Sequence, residues 1–177
     1  MHDLYEAWLL SECRDDGLWT SFKLMNRGWL GVPEVTAQWN ATVLGLTTHV
    51  LQALYLPAER QAVLHIAVSP LHATFLDVRP AYARYAWLRF LYLLGGANSV
   101  AAPAVHTQVM AGVAACVDAC LAVVANGCAD GPDGNTVMHL FGRDLLEALY
   151  AARPGFEEGT AVAVRTLCRV VAVCAHS

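Results

Sequence analysis

Lysine is nearly absent from this chain of 177 residues: Lys23 stands alone, and arginine supplies the rest of the positive charge. Charged residues of all kinds make up only 15% of the sequence, and the formal net charge is −4. No basic stripe of the kind that binds nucleic acid is present. The opening "MHDLYEAWLLSECRDDG" has acidic residues where a secretory leader would run from a basic start into an apolar stretch, so no signal peptide is expected. A phosphate-cradling glycine loop, a nucleophile elbow and a helix with paired zinc-binding histidines are all missing. The expectation is therefore a protein with neither catalysis nor a cofactor.

Apolar residues are what the chain has in plenty, at 56% of the sequence and a mean hydropathy of +0.42. Such a composition suits a helical bundle with a buried central helix, or a protein working at an apolar interface. The length fits one domain, with or without a short tail. The six cysteines are irregularly spaced and sit mostly in apolar segments, which points to reduced core thiols rather than a secreted disulfide framework. Cys116 and Cys120 stand one helical turn apart, a spacing that could hold a metal together with Cys128 and His139. Their alanine and valine neighbours favour buried small side chains instead. "CRDD" at Cys13 to Asp16 reads as a solvated turn at a helix end.

Helical periodicity dominates, and no run of alternating strand residues stands out. A first helix is expected over "DLYEAWLLSEC", ending near Asp15-Asp16-Gly17. The turn-rich "NRGWLGVP" leads to a second, from Pro33-Glu34 to Pro57. Short helices follow in "AERQAVLHIAV" and "LHATFLDV", then a very apolar one in "YAWLRFLYLLGGANSV", reaching Asn98 or Ala102. Pro103 opens another long apolar helix, "TVMHLFGRDLLEALYAAR" forms the next, and Pro154-Gly155 breaks it. The fold class expected is all-α, with seven to eight helices.

Taken in order, several segments resemble the Bcl-2 family. "LHIAVSPLHATFLDV" matches its pro-survival pattern at Leu64, His65, Ile66, Phe75 and Val78. Eight residues later "AWLR", Ala86 to Arg89, stands where the BH1 motif reads Asn-Trp-Gly-Arg, and "DGNTVMHLFG" is similar to BH2 at Thr136, Val137, Leu140, Phe141 and Gly142. The departures are Ala86 and Leu88 for asparagine and glycine in BH1, and Gly134-Asn135 where BH2 has tryptophan. Such divergence resembles viral members more than cellular ones.

The resemblance implies a Bcl-2-like bundle around a buried central hairpin over 1–158, with an amphipathic tail over 159–177 that docks on the protein or lies on a membrane. It implies an apoptosis inhibitor whose apolar groove takes the BH3 helices of Bax, Bak or Bim-type proteins. The groove would comprise Phe75, Val78, Tyr82, Ala86, Leu88, Arg89, Tyr92 and Phe141; of these Phe75, Val78, Tyr82, Tyr92 and Phe141 could each equally be ordinary core. Arg89 would pair with the ligand's aspartate, Arg84 being the substitute if the register shifts; alternatively Arg89 snorkels or pairs with a neighbour such as Asp77. Expected surroundings are the host cytoplasm and mitochondrial outer membrane, and a second copy of the chain is a further candidate partner. A groove-less viral modulator of innate NF-kappaB signalling and a Bax-type pore former are the competing functions.

Overall fold

The computed structural model describes residues 2–29, 31–56, 63–69, 72–126, 128, 130–150 and 153–174; the side chains of residues 2, 3, 97 and 174 are left aside. Its described residues are mainly α-helical and fall into two compact units, 1–95 and 96–177.

The first unit contains α1 (His2–Leu10), α2 (Asp16–Arg27), α3 (Pro33–Tyr55), strands β1 (Leu64–Ser69) and β2 (His72–Leu76), and α4 (Pro80–Leu91). Asp15 starts α2 by accepting a 2.8 Å hydrogen bond from the Leu18 amide, satisfying one of the donors left free at a helix start. Pro33 and Pro80 open α3 and α4, at the position where a missing N–H costs nothing. Aromatic rings hold α1, α2 and α4 together. Trp8 stacks on Phe22 with centroids 4.1 Å apart, and Tyr5 meets Phe90 edge-on at 5.4 Å. Buried Asn26 accepts the Tyr5 hydroxyl proton and donates at 2.8 Å to the Phe22 carbonyl. Burial holds the Tyr5 phenol well above its ordinary pKa, so it stays protonated as a donor.

Three expectations change in this unit. One helix before Asn26 becomes two, because Asp15 caps a second start. The short helices expected around Ile66 and Phe75 are instead an antiparallel hairpin, with Leu64 paired to Leu76, His65 to Phe75 and Ile66 to Thr74. Leu64 and Ile66 are buried while His65 is exposed, the period-two pattern of a half-buried strand. The apolar helix expected to reach Asn98 stops at Leu91 with Tyr92 as its C-cap, and the chain turns beyond it at Gly95, where φ is +91.

The second unit contains a 3-10 turn (Ala97–Ser99), α5 (Pro103–Ala125), α6 (Gly134–Tyr150) and α7 (Glu157–Cys174). Helix α7 packs on both α5 and α6, burying Ala163, Thr166 and Val170; Gly159, where the amphipathic tail was expected to start, lies inside it. Among the described residues α5 is long and apolar enough to cross a membrane, with half of its most apolar stretch buried in the protein. A polar knot closes this unit. Arg153 donates to the carbonyls of Asn98 and Val100 at 3.2 and 3.0 Å, and its guanidinium lies 3.8 Å from the centre of the Phe156 ring. Asn98 donates at 3.0 Å to the Asp144 carbonyl, and its amide oxygen lies 3.1 Å from His106 Nε2.

Candidate functional site

Several hollows open on the described surface, each within one unit. The first, about 520 Å³, lies between α3 and the hairpin, lined by Leu44, Gly45, Thr48, His65, Ala67 and Phe75 among others. Another, about 570 Å³, lies between α5 and α7, floored by Ala111, Ala114 and Ala115 and edged by Arg165, Cys168 and Arg169. A smaller one, about 290 Å³, lies between α2 and α4 and is lined by Trp19, Thr20, Lys23, Leu88, Arg89, Tyr92 and Leu93.

Of the eight residues expected to form one groove, the seven in the first unit are dispersed between surface and core. Leu88, Arg89 and Tyr92 line the α2–α4 hollow from the last turn and C-cap of α4, Leu88 and Tyr92 exposed and Arg89 half-buried. Val78, Tyr82 and Ala86 are buried, Tyr82 and Ala86 completely, and serve as core. Phe75 is on β2, 69% exposed and stacked on His65 at 4.7 Å, beside the α3–hairpin cleft. Phe141 is buried in α6 of the second unit. Strand and helix directions, which spacing along the chain does not encode, account for this dispersal.

Arg89 is the best-held cation of the group. Its guanidinium pairs with Asp16, lies 5.4 Å from the Trp19 ring centre and 4.7 Å from that of Tyr85. Arg14 shares the Tyr85 ring with it, 5.3 Å from Tyr85 and 5.9 Å from Tyr82. The partner is thus Asp16 rather than Asp77, because the tight α1–α2 corner brings the start of α2 against α4. That corner is pinned by Trp19, which donates at 2.9 Å to the Cys13 carbonyl, and by Glu12, whose carboxylate binds both the amide and the guanidinium of Arg79. The Arg79 guanidinium holds the Glu12 carboxyl below the usual range. Trp19 and Lys23 were missed as site residues; the Asp15 cap followed by Trp19, Phe22 and Asn26 at helical spacing is the signal that marks α2.

Little in these hollows is chemically reactive. The linings are largely apolar, and among the described residues no cluster of three His, Cys, Asp or Glu side chains is close enough to hold a metal. Cys120 is buried, which pushes its thiol up to about 12 and leaves it unreactive as a nucleophile. Cys168, by contrast, is exposed on α7. The α2–α4 hollow offers apolar contact from Leu88 and Leu93 beside the charges of Lys23 and Arg89.

Comparison with known proteins corrects the family expectation. Residues 1–57, which cover α1 to α3, match the family model described as the RALGAPB N-terminal domain. Over 173 residues, 98% of its length, the chain is 31% identical to a Rap-GAP domain-containing protein of Dictyostelium discoideum. It spans 10% of that protein. No solved structure matches. A similarity extending over nearly the whole chain outweighs short motifs such as Trp-x-Arg or Leu-His-Ile, the second of which lies on a β-strand here. The Bcl-2 resemblance is therefore overturned, and with it the apoptosis inhibitor, the viral immune modulator and the BH3 ligands of Bax, Bak and Bim type. The similarities found are to the RALGAPB N-terminal domain over residues 1–57 and to a Rap-GAP domain-containing protein over nearly the whole chain.

Proposed function

We propose that this chain is a non-catalytic, protein-binding helical part of a Rap-GAP-related regulator, acting in the cytoplasm on small GTPases of the Rap class. The observation that carries this is the 31% identity extending over 98% of the chain to a Rap-GAP domain-containing protein. The match of α1 to α3 to a region described as an N-terminal domain adds to it.

The chemistry supports binding over catalysis. Accelerating GTP hydrolysis on a GTPase calls for a side chain free to enter the nucleotide site and stabilise charge on the transferring phosphoryl group. Arg79, Arg143 and Arg169 are instead engaged with carboxylates, and Arg153 with main-chain carbonyls. Exposed apolar side chains such as Leu24 and Leu88 supply contact surface.

Phosphate release from Rap·GTP, followed with and without excess chain, tests the catalytic half: the rate is expected to stay at its intrinsic value. Acceleration by about 10³-fold or more, the scale of an inserted catalytic side chain, would overturn it. Calorimetry against Rap loaded with a non-hydrolysable GTP analogue and with GDP tests the other half. Heat of binding is expected with at least one form, and its absence with both would remove the GTPase as partner.

A further inference from the structure

The hollow between α2 and α4 holds more positive charge than the protein neutralises. Lys23 is half-buried on its α2 wall, and its amine is pulled below the ordinary lysine pKa, first by burial and then by the neighbouring Arg27. No carboxylate among the described residues forms an ion pair with Lys23 or Arg27. Arg89 lines the same hollow from α4, and its counter-ion Asp16 is 83% exposed. An exposed pair of this kind is weak and easily exchanged. The guanidinium also keeps N–H donors beyond those that Asp16 uses. Between the cations the surface is apolar: Trp19 is buried beneath, and Leu88 and Tyr92 stand 44% and 37% exposed.

We propose that this hollow docks a short acidic segment of a partner protein, with one carboxylate between Lys23 and Arg89 and an adjacent aliphatic side chain on Trp19, Leu88 and Tyr92. Charge complementarity selects the occupant, because the two cations that line the hollow, Lys23 and Arg89, attract an anion and repel a basic peptide. Size limits it. At about 290 Å³ the hollow is at the small end of ligand-sized pockets and accepts one or two side chains, not the row of anchors of a docked helix. The aromatic faces of Trp19 and Tyr85 hold Arg89 in position before the ligand arrives, which lowers the cost of ordering it. This inference deepens the binding-module reading and rests on it, but it requires no particular GTPase.

The test is selection of a phage-displayed library of random peptides, about a dozen residues long, on the full chain, followed by fluorescence anisotropy of the enriched peptides. Enriched sequences are expected to place Asp or Glu beside Leu, Ile or Val, and to bind more weakly as salt rises. Lys23→Glu should weaken them by about tenfold or more, and Lys23→Met, which leaves the stem in place, by a smaller factor. Asp16→Asn should strengthen them several-fold by freeing Arg89, a gain that a purely structural role for Asp16 does not produce. Enrichment of basic or uniformly apolar peptides, no enrichment at all, or affinities indifferent to Lys23→Glu and Asp16→Asn in folded variants would each overturn the proposal. Peptide binding without GTPase binding would remove the GTPase alone. GTPase binding with no acidic-peptide selection would remove this site alone.

Discussion

Trp39 on α3 donates its indole Nε1–H to the main-chain carbonyl of Phe90 on α4 at 2.8 Å, across 51 positions of sequence and inside the buried core. Phe90 is the next-to-last residue of α4, so the bond fastens the helix where it ends. The Leu93 amide also approaches that carbonyl, at 3.2 Å, in the tightened turn that follows.

Trp39→Phe keeps most of the ring but deprives a buried carbonyl of its indole donor. A loss of about 1–3 kcal/mol is expected, read as a lowered urea midpoint with an unchanged slope. A midpoint equal to the parent's would show that the bond contributes nothing.

Gly45 is where α3 and β1 come closest. A β-carbon there would stand 2.4 Å from the main-chain oxygen of His65, and backbone cannot swing aside as a side-chain tip does. Gly45→Ala should destabilise the first unit by about 1–3 kcal/mol. Gly31→Ala, with nothing within 4 Å of the added methyl, should fall within about 0.5 kcal/mol of the parent. Equal melting temperatures for the two variants would contradict the close approach.

At Gly95 the constraint is conformational instead. With φ +91, an alanine is strained there, at a cost of about 1–2 kcal/mol. The neighbouring atoms belong to the Arg27 side chain at 3.1 Å and can move, so the strain comes from the backbone alone. Asn, which tolerates left-handed backbone better, should lose less than Ala in the same thermal melt.

His106 makes the second unit sensitive to acid. It is buried, and its pKa is lowered from the ordinary 6.5, mainly by burial and further by the Arg153 charge. In the folded chain it therefore takes up a proton only below the pH at which the unfolded chain does. Stability is full above the unfolded value and falls as the pH drops from about 6.5 towards the lowered folded value. Denaturation midpoints at about pH 7.5 and pH 5.5 should differ in that direction, and His106→Leu should flatten its part of the slope. A parent that gains stability on acidification through this window would refute the assignment.

Of the fold, the long elements were legible. Pro33, Pro103 and the Gly134 to Tyr150 pattern announce α3, α5 and α6, because runs of this length can bury a face only as helices. The hairpin was not legible, since Leu64 to Ser69 and His72 to Leu76 are six and five residues long, too short to separate strand from helix by period. Of the candidate site, Leu88, Arg89 and Tyr92 could be named from sequence. Their companions Trp19 and Lys23 come from a helix some seventy residues earlier, as the 73-position separation of Arg89 from Asp16 shows.

The sequence by itself determined a mainly helical chain, since apolar residues at helical spacing and prolines at helix starts act through neighbours a turn away. It also carries, over almost its full length, the identity to a Rap-GAP domain-containing protein that short motifs had obscured. Only the tertiary structure decided where α4 stops, which carboxylate Arg89 meets and which of its neighbours are surface rather than core. Those outcomes depend on partners far apart in the chain, on the indole of Trp39 and the start of α2, and local preference holds no record of them.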